Sequence, residues 1–312
     1  MSRHGAVAVS LAWAVLLATG QAEACPCSDD AGGGSGLVRE DERYAASLVA
    51  TSRHALGHFD AFGHYSALGA AEAEASEELL LRAGLRLPQR VEWLGELGYA
   101  AYRFHAPGTA LERAGIGDAL LHARLKLRDE GMPHESRWLP ALTVSGLLRA
   151  PLGSIADRHN TSFGSGGAQL GLGAWELGAG LEARRSLVPK LELLLGAEAA
   201  FRFEDHVLGA ARTRQLGPRA DMSLGARALP SDWFAATVAL RARFSGDVTL
   251  DGRRLPGTGE RLWSVVLGGA FYDRSSKLRS SLTLSLDPPV SSLSVGSTAA
   301  AALSVALGYG AQ

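Results

Sequence analysis

The chain has 312 residues, 46% of them hydrophobic and 20% charged, with a formal net charge of −1. That apolar fraction is ordinary for a folded protein and excludes a disordered polymer. The balanced charge lacks the basic excess of a nucleic-acid binder, so no nucleic-acid partner is expected.

Residues 1–24 read as a secretory signal. Arg3 and His4 precede an apolar run from Ala6 to Thr19, and Ala22-Glu23-Ala24 supplies a small-x-small cleavage pattern. Cys25 would then be the first mature residue, although Ala22-Glu23-Ala24 lacks the leucine and the small central residue of a lipidation site. Cys25 and Cys27 flank one proline, and a bridge between them would be strained. They supply neither a disulfide framework nor a four-ligand zinc set, and no cofactor is expected. Residues 25–36 have the Gly, Ser and Asp content of a flexible periplasmic tail, and residues 37–312 are assigned to one barrel domain.

From residue 37 onward the dominant signal has period two. Leu79, Leu81, Ala83, Leu85 and Leu87 interleave with Arg82, Gly84 and Arg86. Leu191, Leu193, Leu195, Ala197, Ala199, Phe201 and Phe203 interleave with Glu192, Glu198 and Arg202. Such alternation marks a strand between an apolar and a polar environment. Twelve segments carry it, near 43–51, 77–87, 91–103, 118–127, 138–149, 174–185, 190–203, 218–229, 232–244, 261–272, 276–286 and 300–310. Short links, as at Pro88-Gln89-Arg90, Val188-Pro189, Pro230-Ser231 and Asp273-Arg274-Ser275, alternate with long ones near 52–76, 104–117, 150–173, 204–217, 245–260 and 287–299. An even strand number with short turns at one end and longer loops at the other is the plan of an outer-membrane barrel. No segment is evenly apolar over the length of a membrane helix; even the uncharged stretch Pro288 to Gln312 is rich in Ser and Gly.

The charge pattern says which side faces lipid. In this phase the apolar face holds no Asp, Glu, Lys or Arg, while Arg82, Arg86, Asp221, Arg243 and Lys277 stand among the charges on the other face. An ionised group on the lipid side costs about 2–4 kcal/mol at mid-depth, whereas a soluble barrel carries its charges outside. Trp93, Tyr99, Trp175, Phe201, Phe203, Phe234, Phe244, Trp263, Phe271 and Tyr309 lie on the apolar face, many near strand ends where interfacial girdles belong. The expected fold is an all-β, transmembrane, antiparallel up-and-down β-barrel of about twelve strands.

Several motifs carry a family resemblance. Gly115-Ile116-Gly117-Asp118 opens a strand, and Pro140-Ala141-Leu142-Thr143-Val144-Ser145-Gly146 lies on the next. Arg149-Ala150-Pro151-Leu152-Gly153 follows, then a Gly-rich loop from Phe163 to Gly167 and the strand around Trp175. Over roughly residues 76–312 the chain resembles the bacterial outer-membrane β-barrel transporter family of the phenol meta-degradation type, with Leu152 where that family usually has threonine. The resemblance implies a transport or channel role in the outer membrane of a Gram-negative cell. The closing alternation Leu303, Val305, Leu307 and Tyr309 resembles the terminal recognition strand of such barrels, which implies the barrel-assembly machinery as a partner.

The expected function is passage of an unknown small solute through a polar lumen, with outer-membrane lipid around the barrel and no catalysis. The pore-lining candidates are Glu92, Glu96, Asp118, His122, Arg124, Lys126, Arg149, Glu198, Arg202, Arg227 and Arg241. Basic groups outnumber acids on this face, which points to a mild anion preference. Other classes compete. A non-transporting docking barrel would use its loops or the Cys25–Gly36 tail. An outer-membrane hydrolase would use rim groups such as Asp205-His206, His105 and Asp118, though no Gly-x-Ser-x-Gly elbow occurs. His54 and His58 would share a face if helical, a spacing that suits a metal; solvated loop histidines are the reading adopted here, with no metal.

Overall fold

The computed structural model describes residues 42–87, 90–129, 139–153, 173–188, 190–207, 212–231, 233–273 and 277–311. The expected signal, the tail and the Gly-rich segment Phe163–Gly167 lie outside them. Twelve long strands form one closed antiparallel sheet. They are β1 (Tyr44–Phe59), β2 (Ala73–Leu87), β3 (Val91–Ala106), β4 (Thr109–Arg128), β5 (Ala141–Ala150) and β6 (Glu176–Val188). The second half comprises β7 (Leu191–Arg202), β8 (Arg219–Ser231), β9 (Phe234–Ser245), β10 (Glu260–Asp273), β11 (Leu278–Leu286) and β12 (Thr298–Ala311). Each pairs with its chain neighbour, and β12 returns to β1 with Tyr44 opposite Ala311 and His58 opposite Thr298. On the inner side of this seam Thr51 Oγ1 and Ser304 Oγ are 2.9 Å apart. Closure pairs each long strand with two neighbours along the belt, while beyond it Thr109–Gly117 of β4 pairs, among the described residues, with β3 alone.

The alternation maps onto two walls as its chemistry requires. Leu81 is 57% exposed on the outside, while Arg82 beside it is 8% exposed and points into the lumen. Soluble proteins show the opposite arrangement, so this exterior suits hydrocarbon. Aromatic rings gather at both ends of the apolar belt. Trp233, Phe234 and Phe271 cluster at one end, with Phe234 and Phe271 centroids 4.9 Å apart. At the other end Phe201 meets Phe203 edge-on at 5.4 Å and Phe244 meets Trp263 at 6.4 Å.

At one end the links are tight: four or fewer residues separate β2 from β3, β6 from β7, β8 from β9 and β10 from β11. Arg90 and Lys277, just ahead of β3 and β11, adopt left-handed φ values of 64° and 55°. The opposite end departs from the sequence reading. β1 continues to Phe59, and the expected loop at 104–117 is instead a hairpin in which β3 and β4 run on to a two-residue turn at Pro107-Gly108. Proline presets the first turn position, and Gly108 takes the positive φ, 78°, that the second requires. The alternation fades there because both faces of the hairpin meet water, although the backbone pairing continues.

Four short strands, Asp205–Val207, Arg212–Gln215, Thr249–Leu250 and Arg253–Arg254, form a separate small sheet over this end. Tyr65–Ala67 pairs with the end of β1. In the β9–β10 loop Asp247 accepts hydrogen bonds from the Gly259 N–H and from Arg254 Nε, both at 2.8 Å. The Gly259 backbone bond chiefly holds this carboxyl below its ordinary value of 3.8. A depressed folded value means the stabilisation is complete above pH 3.8 and is lost as pH falls through the lower folded value. Hydrogen-exchange protection at the Gly259 amide is therefore expected to hold at neutral pH and fade in that acid window. In Asp247→Asn it should not depend on pH there.

Candidate functional site

Charged side chains turned inward must be paired or hydrated. The lumen does this in tiers. Toward the loop end Glu176, at the start of β6, is 0% exposed. Arg202 Nε donates to it at 2.9 Å, Arg219 Nη2 lies 3.0 Å away and Arg149 Nε 3.6 Å away. Arg219 also meets Glu198 at 2.5 Å and Asp221 at 2.9 Å, and Arg243 meets Asp221 at 2.8 Å. A second tier lies near the tight turns. There Arg227 Nε donates to Glu192 at 2.7 Å, and Glu92 sits 3.9 Å from Arg86 and 3.7 Å from Arg124. Arg279 is ion-paired to Glu42, just ahead of β1.

Between the tiers is a cavity of about 470 Å³. Of the residues expected to line a pore, it brings together Glu96, His122, Arg124, Arg149, Glu198 and Arg241. Glu96 is 3.2 Å from Arg82, and Arg124 is bound to Glu182 two strands away. The other expected residues lie elsewhere. Glu92 and Arg227 belong to the lower tier, and Arg202 to the Glu176 cluster. Lys126 pairs with Asp129 at 2.5 Å beside a tight-turn end. Asp118 sits where the β3–β4 register shifts, and its Oδ1 accepts from the Gly153 N–H at 3.2 Å. It thereby joins the Gly115–Asp118 motif to the Arg149–Gly153 motif.

Some cavity residues were not singled out from sequence. Arg53, 3.2 Å from Asp287, lies on the part of β1 where the sequence pattern predicts a loop. Arg219, Asp221, Arg243 and Glu182 carry the polar-face signal but nothing to distinguish them from other charges on that face. Leu94 and Leu147 also turn inward and are buried; they flank His122 in register across β3, β4 and β5. Alternation alone places them on the lumen side, but their apolar character hid them. Across β11, β12 and β1 the inner wall is lined by small residues, among them Ser281, Thr283, Ser285, Ser304 and Ser47.

The loop-end histidines form no shared site. His54 and His58 lie on a strand rather than a helix. His54 contacts Ser52, while His58 Nδ1 is 3.2 Å from Thr298 Oγ1 and its Nε2 is 3.5 Å from Glu74. Among the described residues no three His, Cys, Asp or Glu side chains gather as metal ligands. Asp205 is committed to Arg214, with contacts of 3.1 and 2.5 Å.

No protein-family model matches the chain, and no curated protein matches it either. Among solved structures, an outer-membrane channel from Pseudomonas putida F1 superposes with a TM-score of 0.69 at 14% identity, covering 89% of this chain and 98% of that one. The translocator domain of the autotransporter NalP from Neisseria meningitidis aligns with a TM-score of 0.49 at 10% identity, over 88% of this chain and 90% of that one. The KdgM porin aligns with a TM-score of 0.44 at 8% identity, over 85% and 99%. The first of these matches shows that the chain shares the β-barrel fold of that protein.

Proposed function

We propose that this protein is an outer-membrane channel that passes a small solute through its charge-lined lumen. It resides in the outer membrane of a Gram-negative bacterium. Its apolar belt is embedded in lipid, and the barrel-assembly machinery inserts it. The observation that carries the reading is a roughly 470 Å³ polar cavity enclosed by a barrel whose exterior is apolar. Kinship with the transporter family of the phenol meta-degradation type belongs to the same proposal, on the motifs joined by Asp118 and Gly153.

The lumen acts by electrostatics and size, without catalysis. Paired charges keep the wall polar and hydrated, while the lower tier of ion pairs narrows the path. A rim hydrolase is disfavoured because Asp205 is held by Arg214 and is not left to orient a histidine. The test is reconstitution of the full chain into liposomes, with heat-modifiable gel migration confirming a folded barrel. Folded protein should produce swelling in small polar solutes and discrete conductance steps in planar bilayers. A folded barrel that is silent in both assays would overturn the channel reading and favour a docking barrel.

A further inference from the structure

We propose that the mid-lumen cavity selects small organic acids carrying a carboxylate on an apolar body, an assignment that rests on the channel reading above. Three features of the cavity converge on this solute class.

The first is its charge. Seven arginines line it (Arg53, Arg82, Arg124, Arg149, Arg219, Arg241 and Arg243) against five acids, Glu96, Glu182, Glu198, Asp221 and Asp287. Each of those acids is already engaged by an arginine of the same wall. Their negative oxygens are thus neutralised in place, whereas a guanidinium has five N–H donors and one carboxylate does not exhaust it. The Nε–H groups of Arg149 and Arg219 are buried with no acceptor within hydrogen-bonding distance, Glu176 lying 3.6 Å from Arg149 Nε. Glu176, behind the wall, takes up part of the charge of Arg149 and Arg219, but the guanidinium groups that face the cavity still outnumber the carboxylates that face it, in a wall of low dielectric where charge counts for more than in water.

The second feature is the apolar band. Leu94 and Leu147 bracket His122 in register across three neighbouring strands, and both leucines are buried within an otherwise charged lumen. A solute that is polar all round would lose water against this band without compensation. An acid with a hydrocarbon body places its carboxylate on the arginines and the body on the leucines. Thirdly, about 470 Å³ falls in the range of sites that enclose one small molecule.

The experiment uses the full-length folded channel with hexanoate as probe and acetate as its counterpart lacking the apolar body. Binding is read by calorimetry in detergent and permeation by reversal potentials in planar bilayers. Anions should permeate over sodium, and hexanoate should bind more tightly than acetate. Arg149→Gln should weaken binding of both acids about tenfold, the loss expected for one charge-assisted hydrogen bond. Leu147→Ser, which leaves every charge in place, should weaken hexanoate about tenfold and leave acetate unchanged. Equal affinity for the two acids, cation selectivity, or indifference to Leu147→Ser would overturn the proposal while leaving a conducting channel intact. A folded barrel that binds hexanoate but does not conduct would overturn the channel reading and keep the site. One that does neither overturns both.

Discussion

Replacing Glu176 by alanine is expected to cost about 3–5 kcal/mol of barrel stability, the loss seen when one member of a buried ion cluster is removed. The magnitude follows from its surroundings. Glu176 has no solvent exposure, and Arg149, Arg202 and Arg219 all converge on it. Without the carboxylate three guanidinium groups lie close together on one wall. Arg202 would then be left with the Gly217 carbonyl at 3.4 Å as its remaining neighbour from this cluster. Glu198→Gln should cost less, because Arg219 keeps Asp221 at 2.9 Å as well as Glu176. Urea midpoints in a lipid environment, with folded fractions read from unheated gel migration, will rank the variants. A Glu176→Ala barrel as stable as its parent would mean that lumen water solvates these arginines and that the cluster is not sealed.

Leu224→Arg should destabilise the membrane-inserted barrel by about 2–4 kcal/mol, the cost of a lipid-facing arginine near the bilayer midplane. Leu224 lies in the middle of β8, is 49% exposed on the outer wall, and stands in a row with Leu195 on β7 and Leu240 on β9. The same substitution one residue earlier gives the contrast. Ser223 faces the cavity, so Ser223→Arg adds charge to a hydrated wall and should not incur this penalty. Equilibrium folding into lipid vesicles measures both. Similar losses for the two neighbours would contradict the assignment of walls.

The wall assignment was legible in the sequence because lipid and lumen impose opposite demands on every second residue, as Leu81 and Arg82 illustrate. The strand ends were not. Beyond the belt the end of β1 is covered by Tyr65–Ala67, with Phe59 buried against Tyr65, and the β3–β4 hairpin stands in water, so neither keeps the lipid–lumen alternation that reports the backbone. The pairing inside the lumen was also hidden. Arg124 reaches Glu182 two strands away and Arg219 reaches Glu176 and Glu198 on other strands, partners set by strand stagger, whereas its contact with Asp221 is an i, i+2 pair on its own strand. Asp118 shows the same limit. Its alternation in phase with His122, Arg124 and Lys126 marks a polar-face group, but nothing in that alternation announces the hydrogen bond from the Gly153 N–H that it accepts beside a local change of register.

The seam between the first and last strands constrains the order in which the molecule can be made. Thr51 and Ser304 meet although 253 positions separate them, and contacts of such span form only after a large entropy cost has been met. A nascent chain cannot complete its cylinder until its final residues have emerged. Until then its strand borders stay unsatisfied, a state that invites aggregation.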